Sequence, residues 1–401
     1  MISQGFTRWA GLLASTCLLA AAPALAEAQE VRPITPPDPV QAEALRGLDL
    51  WSAAGGRTAL SADLWDGASL SLTQLVLPVL GERPLPPSLA SLARRVLATG
   101  ARAPIGAGQD EALAVLRVRA LIRLGDPRAA FDILSRTPGV QDSEPLSRAR
   151  SEAALWIGET AAACDTADRL RAGRDEAWQL KLRAFCHLVA GQQSRAQLTV
   201  DLWRQRGEPD ATFSRLFAAA LAEAEGGDAP AVLDDALDFA LSQRLGLAPP
   251  EDLSDAPPPA RAGLTGQPPT PPSAPAPIDA AELAALIEAG GAARGAERAR
   301  LQARGMLAAA LGAEMTPGVR ALYATFDVPP PRATAARLTG MDMAADAGHA
   351  GEVALFALSV AHQQPQGLGV ADRAAIARAL MRVGFEAEAR ALVAEGLAEL
   401  E

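Results

Sequence analysis

Apolar side chains return every three or four positions over residues 111–124, with Leu113, Leu116, Ala120 and Leu124 on one stripe. That period predicts an amphipathic helix. Gly125 can end it by taking a left-handed backbone, Asp126 can cap a following helix, and Pro127 suits that helix's first turn. The phrase then recurs. Leu121-Ile122-Arg123-Leu124-Gly125 aligns with Ala154-Leu155-Trp156-Ile157-Gly158, His187-Leu188-Val189-Ala190-Gly191 and Ala222-Glu223-Ala224-Glu225-Gly226, the glycines lying 33, 33 and 35 residues apart. Five residues after each glycine stands an alanine, at 130, 163, 196 and 231, and an isolated copy has Gly384 and Ala389. A helical hairpin with one apolar stripe cannot bury it alone, so copies are expected to stack.

Outside this beat, 69–80 and 88–97 read as helices that could cap the stack. Residues 248–278 carry Pro249-Pro250, Pro257-Pro258-Pro259, Pro268-Pro269 and Pro271-Pro272, a density that predicts an extended, helix-free linker. Asp279 and Glu282 then form a capping box, with Ile278 and Leu283 placed as a hydrophobic staple. Helices are predicted over 280–289, 293–312, 317–326, 334–345, 351–363, 371–383 and 386–399. No strand is predicted. The expected organisation is an all-α chain: a helical-hairpin region over 46–247, the linker over 248–278 and a second helical region over 279–401.

The N-terminus changes the setting. Arg8 precedes an apolar run, Trp9 to Ala22, and Ala24-Leu25-Ala26 supplies the small-x-small pattern of a signal-peptidase site. Residues 1–26 therefore read as a signal peptide cut after Ala26, placing the protein in the periplasm or outside the cell, with 27–45 disordered. A lipoprotein reading centred on Cys17 is disfavoured by Thr16 and by the position of Cys17 within the run. No later stretch is apolar for long enough to span a membrane. The chain carries a formal charge of -10, and loss of Arg8 makes the mature form one unit more negative, which argues against nucleic acid as a partner. Aromatics are 4% of the residues, so Leu, Val and Ala must build the core, which suits closely packed helices.

The small residue closing the first helix, the alanine five positions on and the period near 34 resemble the tetratricopeptide repeat family over about 109–243. The family's usual Tyr four residues before the glycine is Leu121, Ala154, His187 and Ala222 here, so a sister class of helical-hairpin solenoid fits nearly as well. In that register Cys164 lies early in the second helix of the second unit and Cys186 near the end of the first helix of the third. Sequential helices are antiparallel neighbours, so the two ends lie level and a Cys164–Cys186 disulfide is expected, with buried free thiols as the rival. The resemblance further implies a concave face lined by first helices, here Arg119, Arg123, Arg148, Trp156, Trp178, Lys181 and Phe185. Their cationic and aromatic character would suit an acidic peptide or an anionic polymer.

Candidate chemistry is sparse. His187, His349 and His362 stand apart with no second His at ligand spacing, and there is no C-x-x-C, G-x-S-x-G or phosphate loop. His349 has Asp346 and Glu352 three residues to either side. His187 is expected to pack inside a unit, and His349 and His362 to face solvent. Gly226-Gly227 and Gly290-Gly291 read as helix stops. No catalytic residue, metal site or cofactor is expected. The expected role is a non-enzymatic scaffold or adaptor for periplasmic or envelope proteins. The alternative is an envelope polysaccharide or peptidoglycan binding protein or hydrolase on a helical frame.

Overall fold

A computed structural model describes residues 50–206, 210–223, 229–270, 278–364 and 366–401. The expected signal peptide with its cleavage point, the segment 27–45, Gly226-Gly227 and the prolines at 271–277 lie outside them. Side-chain caps start several helices where the sequence places polar residues. Ser69 accepts from the Leu72 N–H at the head of α1 (Leu70–Val76), and Asp110 from the Leu113 N–H at the head of α3 (Glu111–Arg123). Between them lies α2 (Pro87–Ala98). The chain continues through α4 (Pro127–Arg136), α5 (Glu144–Trp156), α6 (Thr160–Arg169), α7 (Ala177–Val189) and α8 (Gln193–Arg206). Next come α9 (Ala211–Leu221), α10 (Ala236–Arg244), α11 (Pro258–Thr265), α12 (Ala280–Ala292) and α13 (Gly295–Ala309). The last helices are α14 (Pro317–Tyr323), α15 (Ala335–Asp346), α16 (Ala350–His362), α17 (Val370–Arg382) and α18 (Glu386–Ala398). The chain is all-α: among the described residues there is no strand, only a lone bridge between Ser69 and Ile105.

The thirty-three-residue beat appears as three identical helix ends. Gly125, Gly158 and Gly191 have φ of 83°, 77° and 71°. At each, the following N–H bonds back across the last turn: Asp126 to the Leu121 carbonyl, Glu159 to Ala154 and Gln192 to His187. This Schellman pattern needs a left-handed residue, which only glycine adopts without cost. Ala130, Ala163 and Ala196 are fully buried in the helices that follow. Each helix from α3 to α8 packs on the next in sequence. Cys164 of α6 and Cys186 of α7 form the expected disulfide, their Cα atoms 5.5 Å apart.

The fourth unit departs from the beat. Ala231 lies outside any helix, its N–H donating to the Ala248 carbonyl, and α10 starts only at Ala236, where Asp235 caps it. Rather than lying beside α9 alone, α10 also packs on α5 and α7. The described part of the Pro-rich stretch corrects the linker expectation as well. Pro257 to Pro259 sit at the N-cap and first turn of α11, where a proline sacrifices no hydrogen bond, so they begin a helix rather than forbid one. Helix α11 packs on α3, α4 and α5, and Arg94 of α2 reaches the segment that follows α11. Arg94 donates to the Leu124 carbonyl at 3.0 Å and to that of Pro269.

The later helices dock on the earlier ones. Residues 47–401 cluster as one unit, and α2 packs on both α16 and α18. Glu395 of α18 accepts from the Ser88 N–H at 2.6 Å and its hydroxyl at 2.8 Å, placing a carboxylate on the free N–H groups that open α2. About two turns along, Arg95 pairs with Glu388 at 2.6 Å. A smaller core of Leu283, Ile287, Ala308 and Val319 joins α12 to α14, with Ile278 of the predicted staple packed against it. The predicted capping box forms, Asp279 and Glu282 exchanging hydrogen bonds. Gly290 and Gly291 do not stop α12. A Cβ on Gly291 would lie 2.8 Å from Leu322, so the pair instead lets α14 approach.

Candidate functional site

The expected groove residues sit on α3, α5 and α7, and none of the seven is fully exposed: Arg119, Arg123, Arg148 and Lys181 are half-buried. Trp156, Trp178 and Phe185 are buried. The reason is α10. Phe239 projects from it to within 4.9 Å of the Trp156 ring, and α11 comes so close that a Cβ on Gly263 would stand 2.3 Å from the Trp156 carbonyl oxygen. Helices α10 and α11 thus cover Trp156, which the resemblance assigned to an open face.

Beneath that cover runs a charged network. Arg148 donates to Glu152 at 2.7 Å while its guanidinium lies 5.1 Å from the Trp178 ring. Lys181 donates to Asp210 at 2.9 Å and lies 5.3 Å from the Phe213 ring. Burial raises the Glu152 pKa, opposed by Arg148 and by Arg119, which brings Arg119 into the same field. For Asp210 burial works upward, but the Phe213 N–H and the Lys181 ammonium outweigh it and hold the carboxyl below its ordinary value. Asp238 of α10 is pushed up to about 6, first by burial and then by Asp235 and Asp210, with Lys181 pulling the other way. Trp178 Nε1 and Gln179 Oε1 are buried there without a hydrogen-bond partner among the described residues.

Two of the expected residues stand apart. Arg123 donates to the Pro78 carbonyl at 3.2 Å and packs on Gly81, so it fastens the segment after α1. Phe185 packs in the main core, as Trp156 and Trp178 also do, but has no part in the charged network. Sequence reasoning missed Asp238, Phe239 and Gly263, although Phe239 belongs to a scarce residue type. It also missed Arg117, which is fully buried and donates to the carbonyls of Leu97, Thr99 and Trp51 at 2.8, 2.9 and 3.1 Å. No local pattern could mark Arg117, since its partners lie 18 residues or more away.

The histidines have structural surroundings. His187 meets Gln192 at 3.0 Å, at the helix end closed by Gly191. His349 precedes α16 and is half-buried rather than solvent-facing, because Gly67 lies against its ring. His362, in the last turn of α16, is half-buried too. Among the described residues no three His, Cys, Asp or Glu side chains converge as a metal site requires. No helix is long and apolar enough to cross a membrane among those residues.

A cleft of about 720 Å³ lies between the segment Pro84–Pro87 and the ends of α16 and α18. Its charged groups are engaged: Arg373 donates to the Leu392 carbonyl and to Glu399, and Glu395 caps α2, while Gln364 Nε2 is buried without a partner among the described residues. What it offers a ligand is mainly proline and alanine surface. Compared with protein-family models, with curated proteins and with solved structures, the chain shows no match.

Proposed function

We propose that this chain is an exported, tetratricopeptide-like helical scaffold that holds an acidic segment of an envelope protein against α3, α5 and α7. The observation that carries the reading is the seat of α10. An acidic and aromatic segment, Asp235 to Phe239, sets Phe239 on Trp156, Asp238 in the field of Lys181 and Asp235 in the field of Glu152, the partner of Arg148, which is the chemistry an acidic peptide partner would bring. The internal helix acts as a stand-in that a partner replaces. The three equal hairpin ends support a repeat scaffold, and the Cys164–Cys186 bond suits an oxidising compartment, in keeping with the signal-like N-terminus.

Crosslinking capture in the periplasm tests this, using the wild type, a Phe239→Ala variant that loosens α10, and a Lys181→Glu variant. The expected result is one recurrent envelope protein, captured in greater yield by Phe239→Ala and lost with Lys181→Glu. Recovery of the chain alone, or of the same proteins in equal yield from all three, would sink the proposal.

A further inference from the structure

A second recess, of about 330 Å³, opens between α13, α14, α15 and α17, away from the face covered by α10. Its size is at the lower edge of the range in which proteins hold small molecules, and apolar and polar surface line it in about equal measure. Met306 and Met315 line one side and Leu338 another, while Ala374 and Ala375 of α17 leave room at the floor. Methionine side chains flex and polarise, so such walls accommodate an apolar body of variable shape.

The lining carries a different chemistry as well. Tyr323, the chain's only tyrosine, ends α14, and Arg378 projects from α17. Burial raises the Tyr323 phenol, and the positive charge of Arg378 pulls it back, so the two donors stand near each other. Arg378 is exposed, and among the described residues it makes no hydrogen bond or ion pair. The one acid in the lining, Asp342, is already matched by Arg382, which also pairs with Asp346 at 2.6 Å. An unmatched guanidinium beside a phenol, above an alanine and methionine recess in a chain of charge -10, selects for an anion with an apolar tail. A planar carboxylate can accept from both donors at once.

We infer that this recess binds a small carboxylic acid with an aliphatic or aromatic body. The carboxylate accepts from Arg378 and Tyr323, and the body lies on Met306, Met315 and Ala374. The site is independent of the partner-binding face.

Calorimetric titration of the full mature protein with octanoate and with phenylacetate tests the assignment. At least one should bind saturably at one per chain. Arg378→Gln, at an exposed position, should fold as the wild type by circular dichroism and weaken that acid by about tenfold or more. Octan-1-ol should bind the wild type more weakly than octanoate, and the two should converge in Arg378→Gln. Ala375→Leu, which fills the floor, should abolish binding of both acids with the fold kept. The inference is overturned if neither acid saturates, if Arg378→Gln leaves affinity unchanged, or if octyl phosphate binds more tightly than octanoate.

Discussion

The hairpins from α3 to α8 and the unit formed by α9 and α10 share an amphipathic first helix, yet their second helices go to different places. In the first group each helix packs on its successor, and Gly125, Gly158 and Gly191 turn the chain identically. In the second, α10 leaves that course and crosses to α5 and α7, where Phe239 finds Trp156. The difference separates two kinds of information. A glycine and a cap fix where a helix ends, whereas its resting place depends on which distant surface its apolar face can cover.

Truncating Phe239 to alanine breaks the comparison at its weakest joint. The side chain is fully buried, so the change should cost about 3–5 kcal/mol in a denaturant titration. Hydrogen exchange should locate the loss: amides of α10 and α11 lose protection while α6 to α8 keep theirs. Equal loss in both groups would mean that the hairpins depend on their cover and that the two regions are one cooperative element. Removing the disulfide makes the reciprocal cut. It closes 22 residues between α6 and α7, and replacing both cysteines with alanine should cost about 3 kcal/mol. Protection should then fall first along α6 and α7 and leave α10 in place. Thiol labelling of the unreduced, denatured chain lacking residues 1–26 checks the bond itself, no free sulfhydryl being expected.

The same separation explains how much was legible in the sequence. The boundaries of most helices and the capping box at Asp279 follow from short-range signals, the Cys164–Cys186 pairing follows from the register of sequential helices, and the structure keeps all three. Prolines 257–259 mislead because a residue type that ends helices also begins them, and only context tells the two apart. Gly290 and Gly291 mislead likewise, since close approach by Leu322 leaves the same letters as a stop. At the candidate site, Arg148, Trp156 and Lys181 were recognisable as unusual positions. That Asp238 and Phe239 would cover them was not, because the contact joins residues more than fifty positions apart in the Lys181 case and more than eighty in the Trp156 case.

Asp238 offers the finest probe, because its effect depends on pH while that of Phe239 does not. In the folded chain its pKa is about 6, against an ordinary aspartate near 3.9. The folded state therefore keeps a proton that the unfolded chain has released. The stability from that proton is complete below about pH 3.9 and is lost as pH rises through about 6, leaving a buried charge that costs roughly 2–3 kcal/mol above it. Asp238→Asn removes the titration, so the variant should be more stable than wild type by roughly 2 kcal/mol at pH 7.5, with the difference shrinking toward zero at pH 4. Denaturant midpoints at pH 4, 5.5 and 7.5 measure this directly. A difference that stays flat across the three would show that Asp238 is not seated beside Asp210 and Asp235. The charges around it supply a control. Lys181 is the neighbour that favours the ionised form, so Lys181→Met should move the midpoint of the wild-type pH dependence upward and steepen the loss near neutrality. The hairpins α3 to α8 should keep their exchange protection throughout, since the titrating group belongs to the helix that left the beat.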